Sequence, residues 1–305
     1  MKYLGSKHYE IHVDDTILCL NRLTRNKDIY NSIFEEPILN EYKRIHDLYG
    51  TVFDLSLFYR IDANTAFSVP LTSEFESEVG WTLSEMTDKF KSEFIANASW
   101  LKFGFHSYSY DIRYNEPSGI TRDAGQDYSL VRQEVYRFAG SSSWNHECNK
   151  LHWYSADKTR TQQIVDQGVK IMICNAMHAG TFVPYHFNKY MKNELFRNGT
   201  YYDIEMDCLF VIGAGVVERI RGLAPHGVES PMGMYDYLNK FNTYQNPKWY
   251  KTCEYLSFET HEIWFCSDAG VVPEYEEIAR WCYNNGYTPK FITKDLMLPW
   301  QEASF

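Results

Sequence analysis

His12-Val13-Asp14-Asp15 closes the first strand-like segment of the chain. Across residues 7–13, Tyr9, Ile11 and Val13 fall on one side and His8, Glu10 and His12 on the other. That is the period-2 signal of a strand. Two adjacent carboxylates follow, and the chain turns apolar again over 16–20. Adjacent carboxylates repel each other, so in a dry cleft one takes a proton or a cation holds the pair. An Asp-Asp at a strand-to-loop junction is also an ordinary solvated turn former and cap. These four residues alone leave both readings open.

Working outward, Ile29, Ile33, Phe34, Ile38, Leu39, Tyr42, Ile45, Leu48 and Tyr49 recur at near-helical spacing over 26–49. Pro37 interrupts the run and Gly50 ends it. Residues 51–59 are apolar on both faces, as strands of parallel sheets are. A helix over 86–98 leads into a third strand at 100–105, which delivers His106. The pattern then predicts a helix at 128–138, a short strand at 151–154, a helix at 158–167 and a buried strand at 169–174. Between 175 and 255 the rhythm breaks, with a hairpin or two short strands over 201–220 and a helix at 232–241. It returns as a strand at 256–265, a helix at 274–284 and a last strand at 290–293. Alternating strands and helices indicate an α/β fold with a parallel sheet and helical crossovers. The count is about seven strands, in an open doubly wound sheet or an incomplete barrel. No linker or repeat divides the chain, so residues 1–305 read as one domain, insertion-rich at about 175–255.

Composition narrows the function. The net charge is −10 and no run of five basic residues occurs, which speaks against nucleic acid as a partner. Seven cysteines stand at 19, 148, 174, 208, 253, 266 and 282, an odd number with no C-x-x-C pair. They read as free buried thiols in a reducing compartment. With no apolar leader segment and no stretch of ~18 apolar residues, the expectation is a cytoplasmic chain without a membrane span. The 24 tyrosines suit clefts for polar ligands such as sugars, although most of them read as ordinary packing. Ile212-Gly213-Ala214-Gly215 begins like a dinucleotide loop but lacks the third glycine, and reads as a turn between strands. His178 and His186 line a cleft at most.

In parallel α/β folds, sites form at the C-terminal ends of strands. Asp14 and Asp15 end the first strand and His106 the third; His152 lies in the fourth, and His261 and Glu262 in the strand at 256–265. One such histidine is usually a rim residue. Four segments that carry Asp or His to one edge suggest a site for Zn²⁺, Fe²⁺ or Co²⁺.

These segments resemble the motifs of the polysaccharide deacetylase (NodB-homology) superfamily, in a divergent branch. The resemblance implies a distorted (β/α) barrel of about seven parallel strands. His12-Val13-Asp14-Asp15 is similar to the family's first motif, which makes Asp14 the general base and Asp15 a metal ligand. Phe103-Gly104-Phe105-His106-Ser107 is similar to its second, which makes His106 a ligand. The second motif histidine is missing, because Tyr110 holds its place, and the neighbouring Asp111 is the candidate substitute ligand. His152 stands where the family has an arginine that orients the base. Thr260-His261-Glu262 is similar to the late motif, which makes His261 the general acid. His12, His152, Trp153 and Glu262 are then assigned to the substrate. The implied activity is metal-dependent removal of an acyl group from a carbohydrate or related small amide, with zinc the leading ion and cobalt, iron or nickel as alternatives. Two further readings remain: a deacetylase-like protein that has lost catalysis and binds a carbohydrate or protein partner, and a glycosidase using Asp14 with Glu262. The sequence leaves the oligomeric state open.

Overall fold

The computed structural model describes residues 7–63, 73–115, 122–174, 185–213, 215–216, 255–262 and 272–297. Its elements run β1 (His8–Thr16), α1 (Leu18–Arg25), α2 (Pro37–Tyr49), β2 (Phe53–Phe58), α3 (Ser73–Glu76), α4 (Lys91–Asn97), β3 (Leu101–Ser107), α5 (Ala124–Phe138) and β4 (Cys148–Asn149). They continue with α6 (Lys158–Val165), β5 (Ile171–Cys174), α7 (Lys189–Asn198), β6 (Thr200–Asp203), β7 (Cys208–Ile212), β8 (Gly215–Val216), β9 (Tyr255–His261), α8 (Val272–Asn284) and β10 (Thr288–Pro289). The result is a mixed α/β fold around a parallel sheet.

That sheet has the order β3-β2-β1-β9-β8, with β10 also pairing β1, and every ladder in it is parallel. A second sheet, β4-β5-β7-β6, is parallel except for β6, which pairs antiparallel with β7. Among the described residues the two sheets do not join into one continuous ladder; β3 makes an isolated bridge, Phe103 to Trp144, to the segment that precedes β4.

Local chemistry explains the element ends. Pro37 opens α2, the Glu36 carboxylate accepts from the Leu39 N–H at 2.8 Å, and Gly50 closes it at φ 72°. α5 starts on Asp123, which accepts from the Gln126 N–H at 2.9 Å. The outer face of β3 is packed by aromatic rings from α4 and α5: Phe94, Phe103 and Phe138 meet edge to face at centroid distances of 5.3, 6.0 and 5.7 Å.

Two expected strands lie elsewhere. Residues 152–154 form a 3₁₀ turn, and the strand precedes them at Cys148–Asn149. The last strand is Thr288–Pro289 rather than 290–293. α1 is a helix where only an apolar stretch was visible. The helix expected at 232–241 and His178 lie outside the described residues.

The inner face of the main sheet is polar. Tyr9, Ile11 and Val13 alternate with Glu10, His12 and Asp14, and all six are buried. In register, Ser257 lies beside Glu10, Asp54 and Glu259 flank His12, and His261 lies beside Asp14. Register partners share a face of the sheet. A stripe of charged groups therefore runs along β1 inside the protein, and buried charge persists only where it is paired or liganded.

Candidate metal centre and active site

Strict alternation would send Asp14 and Asp15 to opposite faces of β1. The strand prevents this with an irregularity. Asp15 adopts φ 57°, the left-handed region, and the register with β2 slips between Val13 and Thr16. A bulge of this kind re-aims a side chain. β3 slips in the same way beside His106: Leu57 pairs with Phe105, but Phe58 pairs with Ser107. The third contributor is the turn after β4, where His152 is followed by Trp153 at φ 55° and Tyr154 at φ 51°. Strained non-glycine backbone concentrates at functional sites.

These three irregular points deliver three donors to one place. Asp15 Oδ1 lies 3.2 Å from His106 Nε2 and 3.3 Å from His152 Nδ1, and the two ring nitrogens are 3.1 Å apart. All three residues are buried. Ligands held ~2.0–2.1 Å from a tetrahedral ion stand about 3.3 Å from one another. The donor set therefore fits a divalent transition metal in spacing and in chemistry. The other nitrogen of His106, Nδ1, lies 2.9 Å from the Lys150 carbonyl, an outer partner that orients the ring. Burial lowers the His152 pKa, so the ring is neutral at physiological pH, as a ligand must be. Burial opposes charge on Asp15, but hydrogen bonds from His106 and His152 and the nearby imidazoles hold its carboxyl well below the usual range.

Asp14 sits next to this group. Lys150 Nζ is 2.6 Å from Asp14 Oδ2 and 3.2 Å from a Glu259 oxygen, all inside the protein. Burial works against the Asp14 anion, yet Lys150, then His106 and His261, keep its pKa lowered. The same two carboxylates keep Lys150 charged against burial. Glu259 also accepts from the Tyr154 hydroxyl. His261, the register partner of Asp14, ends β9 and is half-buried.

The other sequence candidates are placed as follows. Asp111 is exposed, with its backbone N–H on Asp62 at 3.1 Å, and does not join the Asp15 group. Tyr110 packs its ring against His152 at 4.9 Å. Trp153 is half-buried beneath the Arg113 guanidinium, 5.0 Å from the ring centre. His12 lies further back along β1, between Glu10 and Asp54. Glu262 is buried at the N-terminus of α1, where it accepts from the backbone N–H groups of Ile17, Leu18 and Cys19 at 2.7–2.8 Å. Spacing alone missed Lys150 and Glu259. Neither stands out locally: Lys150 follows Glu147 and Asn149, and Glu259 lies among Ser257, Thr260, His261 and Glu262.

No family model matches the chain, and no curated protein matches it. Solved structures do. The 4-alpha-glucanotransferase of Thermococcus litoralis is similar at 9% identity and TM-score 0.51, over 96% of this chain and 40% of that one. A putative polysaccharide deacetylase of Mycobacterium smegmatis has 9% identity and TM-score 0.48 over 96% of each chain. A family 4 carbohydrate esterase of Streptomyces lividans, solved with acetate, has 8% identity and TM-score 0.44 over 95% of this chain and 94% of that one. The chain thus has a fold similar to that of the glucanotransferase.

Proposed function

We propose that this chain is a metal-dependent hydrolase that removes an acyl group from a carbohydrate or a related small amide. The observation that carries the reading is the Asp15, His106 and His152 triangle with edges of 3.1–3.3 Å, beside a carboxylate paired to Lys150. The motif histidine missing at Tyr110 is replaced from a different segment, by His152.

A divalent ion held by these three residues, zinc first among the options, would supply Lewis-acid polarisation of the acyl carbonyl and acidify the attacking water. Asp14 takes the proton of that water. Lys150 keeps Asp14 anionic at neutral pH and fixes its orientation, the task given to an arginine in the family. His261, on the neighbouring strand, gives a proton to the leaving amine or alkoxide.

A complete set of three donors favours catalysis over the reading of a binding protein that has lost its metal. The glycosidase reading needs Glu262 free to face Asp14 across a cleft, and its carboxylate is engaged by three backbone donors. The test is acetate release from a panel of N- and O-acetylated sugars, with and without zinc, on the wild type and on Asp15→Asn, His106→Ala and His152→Ala. Activity that needs zinc and vanishes in all three is expected. Equal metal content in all four proteins would sink the reading.

A further inference from the structure

We propose that Glu10, His12 and Cys148 form a second, fully buried metal centre further back along β1, which takes one zinc-type divalent ion. One ligand atom from each of the three lies within 4.8 Å of the others. Imidazole, carboxylate and thiolate together select Zn²⁺ or Co²⁺ and disfavour Mg²⁺ and Ca²⁺.

The surroundings hold the donors close together, and an entering ion would replace the direct Glu10 to His12 hydrogen bond. Glu10 Oε1 faces His12 Nε2, while Oε2 accepts from the Ile292 N–H at 3.1 Å. The other His12 nitrogen, Nδ1, is buried without a hydrogen bond, with the Asp54 carboxylate 3.7 Å away. Asp54 is itself fixed by the Asn145 side-chain amide at 2.6 Å, and the Asn145 side-chain oxygen accepts from the Cys148 N–H at 3.3 Å. One side chain thus steadies one member of the group, Cys148, and the carboxylate beside another, His12.

The thiol is the independent observation. Cys148 is fully buried and forms no disulfide. Binding releases the thiol proton and the proton shared by His12 and Glu10. One dication replaces two protons, so the buried charge does not change. All three side chains are fully buried, so the centre is structural: it ties β1 of the main sheet to β4 of the second sheet. It is separate from the Asp15 group, since no residue is common to both.

The test is metal stoichiometry on zinc-loaded full-length chain. The wild type is expected to hold two equivalents, His106→Ala one and Cys148→Ser one. Cobalt-loaded wild type and His106→Ala should show a thiolate-to-cobalt charge-transfer band that Cys148→Ser lacks. A Cys148→Ser protein with undiminished metal and an unchanged spectrum overturns the proposal. Metal that survives His106→Ala but not Cys148→Ser supports it and tells against the catalytic site instead. If Cys148→Ser does not fold, zinc-edge X-ray absorption on the wild type decides: sulfur at ~2.3 Å supports the centre, and a shell of nitrogen and oxygen alone overturns it.

Discussion

Lys150 governs the chemistry of its neighbours because it is the cation between Asp14 and Glu259. Lys150→Met keeps most of the volume and removes the charge. Two carboxylates then share a dry pocket, and one must hold a proton. Acetate release is expected to fall by roughly 100-fold or more, as loss of a general base does. Stability is expected to drop by about 3–5 kcal/mol, measured by denaturant unfolding, since a buried pair loses one partner. Zinc content at the Asp15 group should stay as in the wild type, which separates loss of base from loss of metal. Gly213 is a second residue-scale case. A Cβ at this position would collide with Glu259 Oε1. Gly213→Ala should therefore lower the Tm and cost about 1–3 kcal/mol by overpacking; a wild-type melting curve would mean that Glu259 does not lie against this backbone. The sequence marked Gly213 as a turn glycine, but the carboxylate that requires it comes from another strand.

At the scale of elements, helix and strand positions were largely legible. Apolar periodicity, Pro37 and Gly50 located α2, and apolar runs on both faces located β2 and β3. The failures have a common cause. α1 is short and follows β1 after one residue, so its period does not separate from the strand before it. Its N-terminus is also completed by Glu262, a residue from the far end of the chain. Glu262→Gln keeps the shape but turns an amide toward the three backbone donors, so the unfolding free energy should fall by about 1–3 kcal/mol, with metal binding retained. A loss of zinc in this variant would show that α1 and the Asp15 group are coupled. The bulges at Asp15 and His106 were equally invisible, because alternation is what a sequence displays and a bulge is a departure from it.

For the whole molecule, proton linkage at the site sets an acid limit. Asp14 and Asp15 have lowered carboxyl pKa values and His152 a lowered imidazole pKa. At each of them the folded chain binds fewer protons than the unfolded chain. Stability is thus full above the unfolded values and falls with decreasing pH, beginning near the ordinary histidine value of ~6.5 and continuing through the ordinary aspartate value of ~3.9. The contribution of these three groups should shrink as the pH drops from ~6.5 to ~4, read in chelator-treated protein as the melting temperature of the wild type relative to His152→Asn. His152→Asn should flatten the first part of that decline; an unchanged slope would mean that His152 is not the group titrating. The sequence by itself determined the alternating α/β layout, the tandem aspartates and the chemical types of the donors, because periodicity and residue identity are local properties. Only the tertiary structure decided that His152 rather than Asp111 stands beside Asp15 and His106, that Lys150 pairs with Asp14, and that Glu262 caps a helix. Each of these depends on a meeting within ~3 Å of segments far apart in the chain, and spacing along a sequence constrains only residues that share an element.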